Sequence, residues 1–154
     1  MKRRRAKKLT NALVLAATLR DAARVEALLR AGASPRAANG EGTTPLYAAA
    51  VGGAAGIAGS LLRAGAEPDA ESGHGTEGTP LCAAACWGHT ETVRTLLAAG
   101  ADPHRREDHG TGRTPLEWAR AGPYPETIDV LVAAGADRPG PKGNQYIPQK
   151  ETSK

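Results

Sequence analysis

The chain has 154 residues, a formal net charge of +4 and 40 % apolar residues, with no phenylalanine and only five other aromatic side chains. That length suits one domain with a core of leucine, alanine and valine, and the longest apolar stretch falls far short of the ~20 residues that span a membrane. Charge is segregated: residues 2–8 carry six basic side chains, residues 9–137 have a net charge of −5 and residues 138–154 a net charge of +3, and no lysine lies between Leu9 and Asp137, which argues against a basic nucleic-acid stripe along the body.

From the N-terminus, residues 1–8 read as a basic arm, expected to be disordered and separate from the rest of the chain. Together with the apolar residues 9–19 this arm imitates a secretory signal peptide. A repeat register argues against that reading, because Asn11, Leu13, Ala16, Ala17, Leu28 and Leu29 are all used by the first of four similar units. Thr44-Pro45-Leu46, Thr79-Pro80-Leu81 and Thr114-Pro115-Leu116 recur every 35 residues, and each is followed 21 residues later by a Gly-Ala pair. Counting back the same distance from Gly32-Ala33 reaches Asn11-Ala12-Leu13. A period in this range marks stacked units, none of which buries its apolar face alone.

The first unit, about 9–41, keeps the spacing but lacks Thr-Pro, as an atypical terminal repeat should. The second (42–76), third (77–111) and fourth (112–137) each read as two helices and a loop. Threonine is a good N-cap and proline suits the first helical turn; in the fourth unit Glu117 completes a capping box with Thr114. Small alanine pairs come next, and Gly53 or Gly88 ends the first helix. Val93, Leu96 and Leu97 then fall on one face of a second helix at i, i+3, i+4. Gly32, Gly65, Gly100 and Gly135 terminate these second helices. Twelve residues separate Gly32 from the next Thr-Pro, against fourteen after Gly65 and Gly100, so the second and third loops carry two extra residues. Residues 138–154 hold prolines, glycines and polar residues without periodicity and are expected to be disordered.

These units resemble ankyrin repeats, whose signature is a Thr-Pro-Leu-His-x-Ala start and a Gly-Ala-Asp end. The third unit carries the resemblance best, from Thr79-Pro80-Leu81-Cys82-Ala83-Ala84 to Gly100-Ala101-Asp102, and the likeness covers about Asn11 to Asp137. It implies an all-α solenoid of stacked helix-turn-helix units with β-hairpin-like finger loops. It also implies a non-catalytic scaffold that binds other proteins through a concave face of first helices and through its fingers. The signature histidine is replaced by Val14, Tyr47, Cys82 and Glu117, so the hydrogen bonds it makes in the family are expected to be lost. Arg120 and Pro123-Tyr124-Pro125 in the fourth unit suit a C-terminal cap.

Candidate chemistry is thin. Cys82, Cys86 and His89 offer three zinc ligands without a fourth, and structural positions in the repeat explain them more simply. Cysteines one helical turn apart pair poorly in a disulfide, which points to two thiols and an intracellular, cytoplasmic setting. The segment from Gly73 to Thr79 lacks the lysine of a phosphate loop and reads as a finger. Asp108-His109 has no accompanying nucleophile. Neither an enzyme activity nor a cofactor is expected.

What remains is a binding surface. The resemblance places Leu19, Val51, Cys86 and Trp87 at exposed ends of the first helices, with Trp118 one layer deeper. Trp87 is the natural anchor, because tryptophan, tyrosine and arginine supply most interface energy; the competing reading folds it down over Val51 or Ala121. His74, Arg105, Arg106, His109 and Arg113 lie in the fingers and are expected to orient a partner of mixed charge. The protein is therefore expected to be a monomer that binds another protein, with nucleic acid or an anionic surface bound through residues 1–8 as the alternative.

Overall fold

A computed structural model describes residues 2–140, all helices and turns without a strand among them. The elements are α1 (Lys2–Thr18), α2 (Ala22–Arg30), α3 (Pro45–Val51), α4 (Ala55–Arg63), α5 (Pro80–Cys86), α6 (Thr90–Ala98), the short turn α7 (Glu107–Gly110), in which Asp108 and His109 are left-handed and not helical, α8 (Pro115–Ala121) and α9 (Pro125–Ala133). Inner helices α1, α3, α5 and α8 pack side by side in that order, and outer helices α2, α4, α6 and α9 form a second layer behind them. Residues 141–154, most of the expected C-terminal tail, lie outside the described residues.

Local chemistry sets the helix starts. The hydroxyls of Thr44, Thr79 and Thr114 accept the backbone N–H of Tyr47, Cys82 and Glu117, each at 3.2 Å. Glu117 reciprocates by accepting the Thr114 N–H at 3.0 Å, which completes the expected capping box. Chain reversal is equally local. At the end of α6, Gly100 adopts φ 92°, a left-handed conformation that glycine takes without a Cβ penalty, and the Ala101 N–H reaches back to the Leu96 carbonyl at 3.0 Å. The same bond joins Ala33 to Leu28, Ala66 to Leu61 and Ala136 to Leu131.

The core lies between the two layers. Leu13, Leu46, Leu81 and Leu116 form one buried row, the alanines at 16, 49, 84 and 119 a second, and Leu61, Leu96 and Leu131 a third from the outer helices. Alanine at the second row keeps neighbouring helices close, so each layer is thin and depends on the next for burial.

The N-terminus differs from the expected disordered arm. Residues 2–8 are helical and continuous with α1. The reason is the missing Thr-Pro: with Ala12 where the other units have proline, every backbone N–H remains available, and lysine, arginine and alanine are good helix formers. The packed half of α1 supplies the costly nucleus and the helix propagates backwards from it.

Candidate functional site

The inner helices form one layer of the stack, and the fingers lie along its edge. Four large apolar side chains are conspicuously exposed among the described residues: Leu15 at 49 %, Leu19 at 64 %, Val51 at 37 % and Trp87 at 59 %. All four belong to inner helices or the residue just after one. Trp87 caps α5, its N–H bonded to the Ala83 carbonyl at 3.3 Å and the next N–H, of Gly88, to the Ala85 carbonyl at 3.2 Å, and its side chain is more than half exposed. Leu19 and Trp87 occupy equivalent positions two units apart, with Gly52 at the same position between them and Val51 beside it. Interaxial distances of 8–10 Å put Leu19 and Trp87 about 16–20 Å apart. Leu15 is the member that sequence reasoning missed; its signal was present, since it occupies in the first unit the place of Trp118 in the fourth.

Cys86 is half-buried in this layer. Burial pushes its thiol above the usual range, with the Glu107 carboxylate adding to the effect. Cys82 lies deeper, and burial raises its thiol to about 12. Its Sγ–H points at the Arg113 carbonyl (3.6 Å) and the Arg105 carbonyl (4.0 Å) of the third finger. The histidine replaced by Cys82 is thus succeeded at this seam by weak thiol hydrogen bonds, which revises the expectation that the seam loses its ties. Tyr47 is raised to about 12, mainly by burial and then by Glu77 and Glu107.

The third finger is a closed network. Trp118 donates its indole N–H to Glu107 at 2.6 Å, and the Arg113 guanidinium sits 4.6 Å from the Trp118 ring centroid. Burial raises the Glu107 carboxyl despite that hydrogen bond. Arg106 grips both Glu117 oxygens, at 2.9 and 3.1 Å, and donates to the Gly112 carbonyl at 2.8 Å. Burial alone would push Glu117 up, but the Thr114 N–H and the Arg106 guanidinium together outweigh it and hold the carboxyl below its usual range. Arg105 is exposed and Arg113 is exposed while stacked on Trp118, and Arg106 and Trp118 are hydrogen-bonded inside the molecule.

Each finger is closed by one backbone pair: Asn39 N–H to Thr43, Ser72 N–H to Gly78 and Glu107 N–H to Arg113. The two extra residues therefore sit at the tips of the second and third fingers. There Gly73 and His74, then Asp108 and His109, adopt the paired positive φ of a tight hairpin turn. Both tip histidines are exposed and seated on the preceding finger: a methyl group at Gly42 would come within 2.8 Å of the His74 ring, and one at Gly75 within 2.6 Å of the His109 ring. His109 is held further by Glu71, which accepts its backbone N–H at 3.1 Å and lies 3.3 Å from its Nδ1.

Among the described residues no group of three His, Cys, Asp or Glu side chains is arranged to hold a metal ion. Cys82 and Cys86 are free thiols. No described helix is long and apolar enough to cross a membrane.

A family model for ankyrin repeats (3 copies) matches residues 61–139, and one for a single ankyrin repeat matches residues 41–72. The chain belongs to the ankyrin-repeat family. Ankyrin repeats are generally protein–protein interaction modules and typically lack catalysis. The matches begin at residue 41, but the ankyrin stack begins earlier, because α1 and α2 pack on each other and on α3 and α4 as the later pairs do. No curated protein matches the chain closely enough to add a partner or an activity.

Proposed function

We propose that this ankyrin-repeat protein is a non-catalytic adaptor that binds a segment of another protein along its concave wall, with Trp87 as the anchor. One observation carries the reading: Leu15, Leu19, Val51 and Trp87, the conspicuously exposed large apolar side chains among the described residues, are all on the inner helices and none is on the outer layer. Isolated surface apolar residues need no explanation, but their confinement to the inner layer supports a binding face there, with Leu15, which has no preceding unit to cover it, at its open end. The span from Leu19 to Trp87, about 16–20 Å, matches a partner helix of roughly 11 to 13 residues at 1.5 Å rise. Half-buried Cys86 extends the apolar ground beside Trp87.

The fingers contribute a rim. Arg105, Arg113 and His74 are exposed there, whereas Arg106, Glu71 and Glu77 are already engaged within the fold. Rim charges tune encounter and orientation more than affinity.

The test is affinity capture of a partner with cross-linking, followed by Trp87→Ala. Loss of a central aromatic anchor weakens binding by more than about 2 kcal/mol, some thirtyfold, while circular dichroism remains that of the native protein. A captured partner that binds Trp87→Ala as tightly as the native chain does not use this face, and the reading then fails.

A further inference from the structure

We propose that the basic half of α1 is a second binding site, separate from the concave wall, that docks in the major groove of double-stranded DNA. The argument begins with length. The inner helices α3, α5 and α8 start at the proline after their capping threonine, whereas α1 starts ten residues before the equivalent Ala12. At 1.5 Å per residue this extension reaches about 15 Å beyond its neighbours. The Arg20 side chain after α1 packs against Gly52 after α3, so the C-terminal ends of the two helices are level and the extension leaves the body on the finger edge.

Charge on this extension is all of one sign. Lys2, Arg3, Arg4, Arg5, Lys7 and Lys8 are all exposed, the first turn contains no acidic residue, and none of the six forms an ion pair with a described residue. Such an arrangement opposes the fold that displays it. Cations sit at the positive end of the helix dipole, and Arg3 with Lys7 and Arg4 with Lys8 are like-charge pairs at i, i+4, each costing a few tenths of a kcal/mol. A polyanion relieves both penalties at once.

Distribution around the helix selects the kind of polyanion. At about 100° per residue the six charges fall into three stripes, Lys2 with Arg5, Arg3 with Lys7 and Arg4 with Lys8, spaced roughly a third of a turn apart. A flat anionic membrane meets one side of a helix, and the extension offers no apolar face to bury in the headgroup layer. The major groove surrounds a helix on three sides, so the Lys2/Arg5 and Arg3/Lys7 stripes can meet the phosphates of the two walls while Arg4 and Lys8 face the acceptor-rich base edges of the floor. The major groove of B-form DNA is about 12 Å wide and admits a helix, whereas that of A-form RNA is too narrow for side chains to read. Single strands are held largely by stacking on aromatic side chains, and residues 2–8 contain none. Most of the contacts are to phosphate, so affinity is steeply salt-dependent and only weakly sequence-selective. The acidic body, net −5 over residues 9–137, repels the duplex and leaves this helix as the route of approach.

The experiment is fluorescence anisotropy of a labelled duplex of about 20 base pairs with the full chain, repeated between about 50 and 200 mM salt. Engagement of the four wall-facing side chains with phosphates weakens binding by about a hundredfold over that range. The double variants Lys2→Gln with Arg5→Gln, Arg3→Gln with Lys7→Gln, and Arg4→Gln with Lys8→Gln retain good helix formers. Each is expected to lower affinity to a similar degree, and circular dichroism reports that the helix persists. Trp87→Ala binds the duplex normally, which separates this site from the concave wall. The proposal is overturned if the full chain does not bind duplex at about 50 mM salt, if only one stripe matters, if Trp87→Ala abolishes binding, or if phosphatidylserine vesicles bind more tightly than the duplex.

Discussion

The His89 ring lies on Gly53 of the preceding unit, with its Nε2 3.0 Å from the Val51 carbonyl at the end of α3. This contact joins the turn of one repeat to the helix end of another and exists only because position 53 has no side chain. Gly53 is also left-handed, at φ 64°.

A methyl group at Gly53 would come within 2.5 Å of the His89 ring. Gly53→Ala is therefore expected to lose about 1–3 kcal/mol from backbone strain and displacement of the ring. In a His89→Ala background the steric part disappears, so urea denaturation of the double-mutant cycle should show a coupling of about 0.5 kcal/mol or more. Additive losses would mean that the ring does not rest on the glycine.

Thr92 is 1 % exposed and its Oγ1 has no hydrogen-bond partner, while the equivalent residue in the second unit is Ile57. Removing an unsatisfied buried hydroxyl at nearly constant volume should stabilise, so Thr92→Val is expected to gain about 1 kcal/mol. One turn further on, Leu96 is fully buried in the stacking core, and Leu96→Ala should lose about 2–5 kcal/mol. Chemical denaturation of the pair gives opposite signs if both positions are as described; a destabilised Thr92→Val or a neutral Leu96→Ala contradicts them.

Alkaline stability depends on Cys82 and Tyr47, both raised to about 12, the thiol from 9.0 and the phenol from 10.0. Below about pH 9 folded and unfolded chains both keep these protons, and the stabilising contribution is fully present. As pH rises from about 9 towards 12 the unfolded chain releases them first, binds fewer protons than the folded one, and stability falls. The urea midpoint should be lower at about pH 11 than at about pH 8, and Cys82→Ala should shrink that difference. An unchanged difference in Cys82→Ala would show that the buried thiol does not contribute.

Much of the architecture was legible in the chain because it is specified locally. Thr44, Thr79 and Thr114 cap the helices they precede, Gly100 and its counterparts close the helices they terminate, and the recurrence of both at a constant interval announces stacking. Exposure of Leu19, Val51 and Trp87 came from the same register.

Other features depended on what each residue meets across a seam. Arg106, Glu71 and Trp118 look in sequence like free finger or wall groups, but contacts eleven or more positions away engage all three. His74 and His109 became seated rings only when the preceding finger brought a glycine beneath them. Residues 2–8, read by composition as a loose arm, are helical because the buried half of α1 nucleates the turns before it and no proline intervenes. Periodicity and caps are set by neighbours within one turn, so the sequence determined the ankyrin stack; charge pairing and ring seating are set by residues from other units, and only the tertiary structure could decide them.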